Sequence, residues 1–310
     1  MHVILLCATD RGLQFLAKLV SMLPAGAQLT VASFREEPVE PPFLDAVKNA
    51  AASADARFFE TRNVAGPTMA DFWANEDVDL MFAVSWRYMI PRKIYERPKS
   101  GTYVFHDSLL PAYRGFAPTV WAIANGEDHT GVTLFRISEE FDDGDVVAQR
   151  RIAIGPDDTI AAVMSAVTQT YLQLLGENFA ALASGTVKAT PQNHTAASYT
   201  CKRLPGDNTI DWAAGTARIH NLIRAVGHPY SGATTSLASR PLTVWAAERL
   251  AHAKPYVGSV PGRVVEVLPG KGSVVLTGDG AVLLTRVQAE GGEERCAADV
   301  LDSIAMTLGR

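Results

Sequence analysis

The sequence predicts an α/β protein in two parts: a doubly wound N-terminal domain and a smaller β-rich C-terminal domain. Three observations predict it. Continuous apolar runs alternate with segments of helical spacing through the first half, as in a parallel sheet covered on both faces. Short strand-like runs punctuated by glycine fill the last third, as in a small barrel or open sheet. The 310 residues suit two domains at the usual ~100–200 residues each.

In chain order, residues 2–8 form an apolar strand, and 12–23 a helix with Leu13, Leu16, Leu19 and Leu23 on one stripe. Strand 28–34, helix 43–52 and strand 57–61 follow, then apolar strands at 80–85 and 102–106 with a basic segment between them. Residues 132–137 and 145–154 are two more strands. Residues 159–184 contain few helix breakers, and Asp157 and Asp158 stand near their start, where negative charge suits a helix dipole. The polar stretch that follows contains Pro191, Pro205 and Gly206, the marks of an interdomain linker. The chain therefore divides into residues 1–185, a linker at 186–206, and 207–310. The last part opens with a helix at 217–226 and continues with strands at 242–245, 262–267, 273–276 and 281–287.

With 47% apolar and 20% charged residues, the composition is that of a soluble globular protein, and dominant disorder is excluded. Lys+Arg total 28 and Asp+Glu 33, a net charge of −5 that disfavours a phosphate-backbone binder. Cys7, Cys201 and Cys296 are widely separated, with no CxxC pair and no zinc spacing, so neither a disulfide framework nor a metal cluster is expected. The apolar start meets Asp10 and Arg11 at once, which fits a buried strand better than a signal peptide or a membrane span. A reducing cytoplasm is the expected location. The first turn, CATDRG, lacks GxGxxG, and no P-loop is present.

One segment carries chemistry: Val104-Phe105-His106-Asp107-Ser108-Leu109-Leu110-Pro111-Ala112-Tyr113-Arg114-Gly115. His106 ends an apolar strand, and a doubly wound fold puts its ligands beyond the carboxyl ends of its strands. A lone histidine is more often structural. The acidic turn Phe141-Asp142-Asp143-Gly144-Asp145 lies between two later strands. A carboxylate there that reached the imidazole would fix its tautomer and favour its protonated form, whereas on spacing alone the turn reads as a solvated one.

These stretches resemble the formyltetrahydrofolate-dependent formyltransferase family, which includes methionyl-tRNA formyltransferase and the aminoarabinose formyltransferase domain. The resemblance rests on HxSLLPxYRGxAP at 106–118, an NGExxTGVTLxR-like stretch at 125–136 and a DxGD turn at 142–145, in the family's order. It continues through Asp211-Trp212, residues 219–226, Pro229-Tyr230-Ser231-Gly232-Ala233 and Leu242-Thr243-Val244-Trp245, and so covers nearly the whole chain. It implies a Rossmann-like first domain, an OB-like barrel as the second, and N10-formyltetrahydrofolate as cosubstrate without a metal.

The family's catalytic trio is Asn-x-His and the first Asp of the turn. His106 and Asp142 match two members, and Val104 stands where the family has Asn. Losing one oxyanion donor of this kind costs ~10²–10³ in rate. Three alternatives follow: His106 held by Asp142 carries the developing charge, a water or Ser108 substitutes, or the protein is an impaired relative. The resemblance further implies a donor pocket built from Arg87, Met89, Ile90 and Pro91, from Ser108, Leu109, Leu110 and Pro111, and from Asp142. Core packing is an equal reading for Met89 and Ile90, and residues 87–99 also form a basic face.

Methionyl-tRNA formyltransferase grips tRNA with a basic loop after its second strand; residues 35–42 are acidic and proline-rich instead. The expected acceptor is therefore a primary amine of a small molecule, with no tRNA or other nucleic acid and no membrane as partner; homodimerisation stays open. A nucleotide-linked amino sugar leads. The alternatives are an amino-acid amine or a hydroxylamine of the siderophore hydroxyornithine type, a formyltetrahydrofolate hydrolase, and a catalytically impaired folate-binding relative.

Overall fold

A computed structural model of the 310 residues describes all of them except Val39 and Ala253. The chain forms β1 (His2–Cys7), α1 (Thr9–Val20), β2 (Gln28–Ser33), α2 (Leu44–Ser53), β3 (Arg57–Glu60), α3 (Ala70–Asn75), β4 (Leu80–Val84), α4 (Arg92–Tyr95), β5 (Thr102–His106), β6 (Arg114–Gly115), α5 (Pro118–Asn125), β7 (His129–Arg136), β8 (Val146–Ala153) and α6 (Ile160–Ala183). Then come β9 (Tyr199–Thr200), α7 (Thr216–Val226), β10 (Ala233–Leu237), β11 (Arg240–Arg249), β12 (Val264–Leu268), β13 (Gly272–Leu276), β14 (Ala281–Ala289) and β15 (Glu294–Cys296). Two compact units result: residues 1–115, 131–151 and 166–199, and residues 116–130, 152–165 and 200–310. The stretch 186–206 divides between them after Tyr199.

The first sheet has the order β3-β2-β1-β4-β5-β7-β8. Strands β1 to β5 pair in parallel, and β7 joins β5 antiparallel with Val104 opposite Phe135 and His106 opposite Thr133. Every residue of β1 and β4 is buried, which is why both read as unbroken apolar runs. The strand order reverses between β1 and β4, so the loops after β4 and β5 open on the side where such folds bind ligands. An apolar cluster that includes Ile4, Leu6, Met81 and Ala83 packs against the sheet.

The second sheet is antiparallel, ordered β10-β11-β14-β13-β12, with β15 on β14. Its edges do not pair directly. Residues 306–310 run between them: Arg263 bridges Thr307, and Leu237 bridges Leu308. The mixed α/β sheet and the later β-rich sheet are the expected fold class. The periodicity missed α3, α4, α5, β6, β9, β10 and β15, because elements this short show barely one or two repeats of any pattern.

Candidate active site

His106 closes β5 and is 8% exposed. Its Nε2 donates to the Tyr113 carbonyl at 2.8 Å, and its Nδ1 lies 3.6 Å from Asp142 Oδ2. That same oxygen accepts the Gly115 N–H at 2.8 Å. The fold thus brings together two residues far apart in the chain, one the last of β5 and one in the loop between β7 and β8. Asp142 has φ 52°, a left-handed conformation uncommon for a residue with a side chain. Gly144 is required beside it, since a Cβ there would sit 1.8 Å from the Arg136 carbonyl oxygen.

The loop after His106 is braced from beneath. The Leu110 N–H donates to Thr133 Oγ1 at 3.1 Å, and Thr133 Oγ1 donates to the Ser108 carbonyl at 2.6 Å. Gln149 Nε2 donates to the Leu110 carbonyl at 2.7 Å. Gly131 lets this loop approach β7 and β8, because a Cβ would meet Leu109 Cδ2 at 2.3 Å and the Arg150 carbonyl at 2.7 Å. The Ser108 hydroxyl donates to the Ala112 carbonyl at 2.6 Å, so its proton is held within the loop.

Val104 shares the face of β5 with His106, two residues away. Its side chain packs against the apolar cluster beneath β4 and β5. Asp107 points elsewhere. Its two oxygens accept from Arg11 Nη1 at 2.8 and 2.9 Å, and it also accepts the Tyr171 hydroxyl. Burial works to raise the Asp107 carboxyl, but the Arg11 charge, the Tyr171 hydrogen bond and nearby His106 outweigh it and hold it below the ordinary range. Burial above all pushes the Tyr171 phenol well up, so it stays a donor.

Among the donor-pocket residues, Arg87, Met89, Ile90 and Pro91 form the loop between β4 and α4. Met89 is 64% exposed, whereas Ile90 is buried in the apolar cluster. Arg87 pairs with Glu40 at 2.5 Å and lies over the Phe34 ring. Three further cations of the basic segment also have acidic or aromatic neighbours: Arg92 pairs with Glu96, Lys99 with Asp77, and Arg97 covers the Trp73 ring. Trp86, at the start of this loop, has a buried indole N–H with no hydrogen-bond partner among the described residues.

Two residues that sequence reasoning missed complete the site. Gln192 Nε2 donates to the carbonyls of Asp142 at 2.9 Å and Gly144 at 2.7 Å. Its Oε1 accepts from Arg114 Nη2 at 2.6 Å and Nε at 3.2 Å. Arg114 was visible inside the YRG motif, but nothing in the sequence pointed from it to Gln192.

Residues 5–178 match the family model described as formyl transferase, and residues 204–304 match the model of its C-terminal domain. Among solved structures, HypX from Aquifex aeolicus with tetrahydrofolic acid is similar at 21% identity and TM-score 0.62, over 96% of this chain and 46% of that one. The chain therefore spans about half the length of the HypX structures it matches. WlaRD, a sugar 3N-formyl transferase solved in the presence of dTDP and 5-N-formyl-THF, is similar at 16% identity and TM-score 0.68, over 94% of this chain and 99% of that one. Methionyl-tRNA formyltransferase from Clostridium thermocellum is similar at 17% identity and TM-score 0.55, over 81% of this chain and 94% of that one. At these identities the structural likeness shows the fold.

Proposed function

The chain belongs to the formyl transferase family, and from that premise we propose that it transfers a formyl group from N10-formyltetrahydrofolate to a primary amine of a small molecule, a nucleotide-linked amino sugar. The observation that carries this is the His106–Asp142 pair, 3.6 Å apart at the carboxyl end of β5, with each partner anchored by the backbone of residues 113–115. The folate supplies the formyl carbon: the amine nitrogen bonds to it, its bond to N10 breaks, the amine loses a proton and N10 gains one. An imidazole with an adjacent carboxylate can hold and hand over those protons, work typically worth ~10²–10⁴ in rate. With Nε2–H committed to the Tyr113 carbonyl, Nδ1 is the ring atom that faces the Asp142 carboxylate and would take up or release the transferred proton. The partnerless Trp86 N–H supports a ligand-facing role for the loop that holds Arg87 to Pro91.

The acceptor class rests on two observations. WlaRD is a sugar N-formyltransferase of the same fold and nearly the same length. The acids of the loop after β2 are also engaged within the chain. Glu36 accepts the Leu44 N–H at the start of α2, Glu37 pairs with Arg62, and Glu40 with Arg87. Val39, in the same 35–42 stretch, lies outside the described residues. The location belongs to the same proposal: the cysteines are free, which suits the cytoplasm, and no helix among the described residues is long and apolar enough to cross a membrane.

A panel of amines incubated with N10-formyltetrahydrofolate and read by mass spectrometry tests this. It should include nucleotide-linked amino sugars, amino-acid amines and hydroxyornithine. A formylated amino sugar is expected. Formate release without any amine would mark a hydrolase instead. Folate binding without product would favour an impaired relative, the second reading that Val104 supports because its side chain packs in the core and offers no donor.

A further inference from the structure

We infer that Gln192 and Arg114 are positioning residues that set the distance between His106 and Asp142, which makes the 190–199 segment a working part of the site; the effect on turnover rests on the formyl-transfer reading above. The basis is a closed ring of hydrogen bonds. Tyr113 holds the imidazole through its carbonyl, and Gly115 holds the carboxylate through its N–H. Arg114 lies between them, only 3% exposed, and its side chain grips the Gln192 amide oxygen with two donors. A planar guanidinium fork makes such a paired contact directional as well as strong. The Gln192 NH2 then spans the Asp142 and Gly144 carbonyls, using both of its hydrogens on one turn.

The turn needs an outside anchor. Asp142 holds a positive φ, a conformation uncommon for a residue with a side chain. Its neighbour Phe141 is 60% exposed and brings little packing. The 190–198 segment supplies the anchor by bonding on both sides. Thr190 exchanges two backbone hydrogen bonds of 2.8 Å with Val146. Ser198 accepts the Tyr113 N–H on its Oγ at 2.9 Å and the Arg114 N–H on its carbonyl at 2.9 Å. The loop that carries His106 and the loop that carries Asp142 are thereby tied through one segment. At 3.6 Å, His106 and Asp142 already stand beyond a normal N–H···O distance, so any further drift of the turn weakens their pairing directly.

The test is Gln192→Ala and Arg114→Lys, each alone and with Asp142→Asn. Gln192→Ala should lower kcat by ~10–100-fold, since a misplacement of about 1 Å costs that much, with the folate KM nearly unchanged. In the Asp142→Asn background it should add less than about twofold, because sites that act through one group are not additive. Arg114→Lys keeps the charge without the fork and should fall between wild type and Gln192→Ala. A second readout needs no turnover: the 15N shifts of the His106 ring in Gln192→Ala should move toward those of Asp142→Asn. Equal kcat losses in both backgrounds, or His106 shifts that stay at wild-type values, would overturn the inference. If the wild type transfers formyl to no amine, the functional reading fails while the 15N comparison still decides the positioning role.

Discussion

Nε2 of His106 is bound to a carbonyl, so the only ring atom free to exchange a proton with Asp142 is Nδ1. His106→Ala removes that relay, and kcat should fall ~10²–10⁴-fold with the fold retained. Asp142→Asn keeps the shape and the Gly115 hydrogen bond but loses the charge, and kcat should fall comparably. Near-normal turnover of His106→Ala on the true acceptor would remove His106 from the mechanism. Val104 is the other residue on which the proposed chemistry turns. Val104→Asn introduces the donor that the family resemblance implies for this position, on the same face of β5 as His106. It also puts an amide against the apolar cluster, which costs about 1–3 kcal/mol if the amide finds no partner. The expected variant is folded, less stable, and has a kcat that is level or higher and less dependent on Asp142. Loss of turnover with fold and folate affinity intact would instead make Val104 a requirement of the real substrate.

At the level of elements, the end of β5 is fastened to two helices. Arg11 of α1 meets Asp107, and Tyr171 of α6 donates both to Asp107 and to the Phe105 carbonyl. The Arg11 guanidinium lies 4.7 Å from the centre of the Tyr171 ring, and Thr168 accepts from Arg11 Nε. This cluster orients the strand end that carries His106. Asp107→Asn leaves Arg11 buried beside a neutral group, which typically costs about 3–5 kcal/mol. The sign with pH follows from the depressed carboxyl. The pair stabilises the fold above the unfolded-state value near 3.8, and its contribution is lost as pH falls toward the lower folded value. Urea unfolding of wild type and Asp107→Asn should therefore differ clearly at pH 7, and the difference should shrink at pH 3. A gap of equal size at both pH values would show that the ion pair is not its source.

For the whole molecule, charge and topology set the partners it can hold. The net charge is −5, and the acids after β2 are tied to Arg62, Arg87 and the start of α2. Binding of initiator tRNA at physiological salt should be no tighter than ~10⁻⁴ M, the weak end of non-specific affinity. Salt-dependent micromolar binding in a filter or anisotropy assay would reverse the choice of acceptor. In the second sheet, Thr307 and Leu308 bridge Arg263 and Leu237, which covers part of the two edges that would otherwise invite pairing with other chains.

The sequence by itself determined most of the order of strands and helices and singled out the strand end at which the chemistry is proposed. A parallel strand buried on both faces must be apolar throughout, so β1, β4 and β5 announce themselves, and His106 is the first strong polar group where such a run stops. The family pattern extended this to Asp142. Only the tertiary structure decided what surrounds the pair. Gln192 reaches Arg114 across 78 residues of chain, and Arg11 reaches Asp107 across 96. Periodicity reports which residues are buried and says nothing of which buried polar groups will meet. It could therefore not separate Asp107, neutralised by Arg11, from an added acid, nor distinguish a linker from a segment bonded to both loops of the site. Those outcomes depend on where the folded chain crosses itself, and only the paired hydrogen bonds record that.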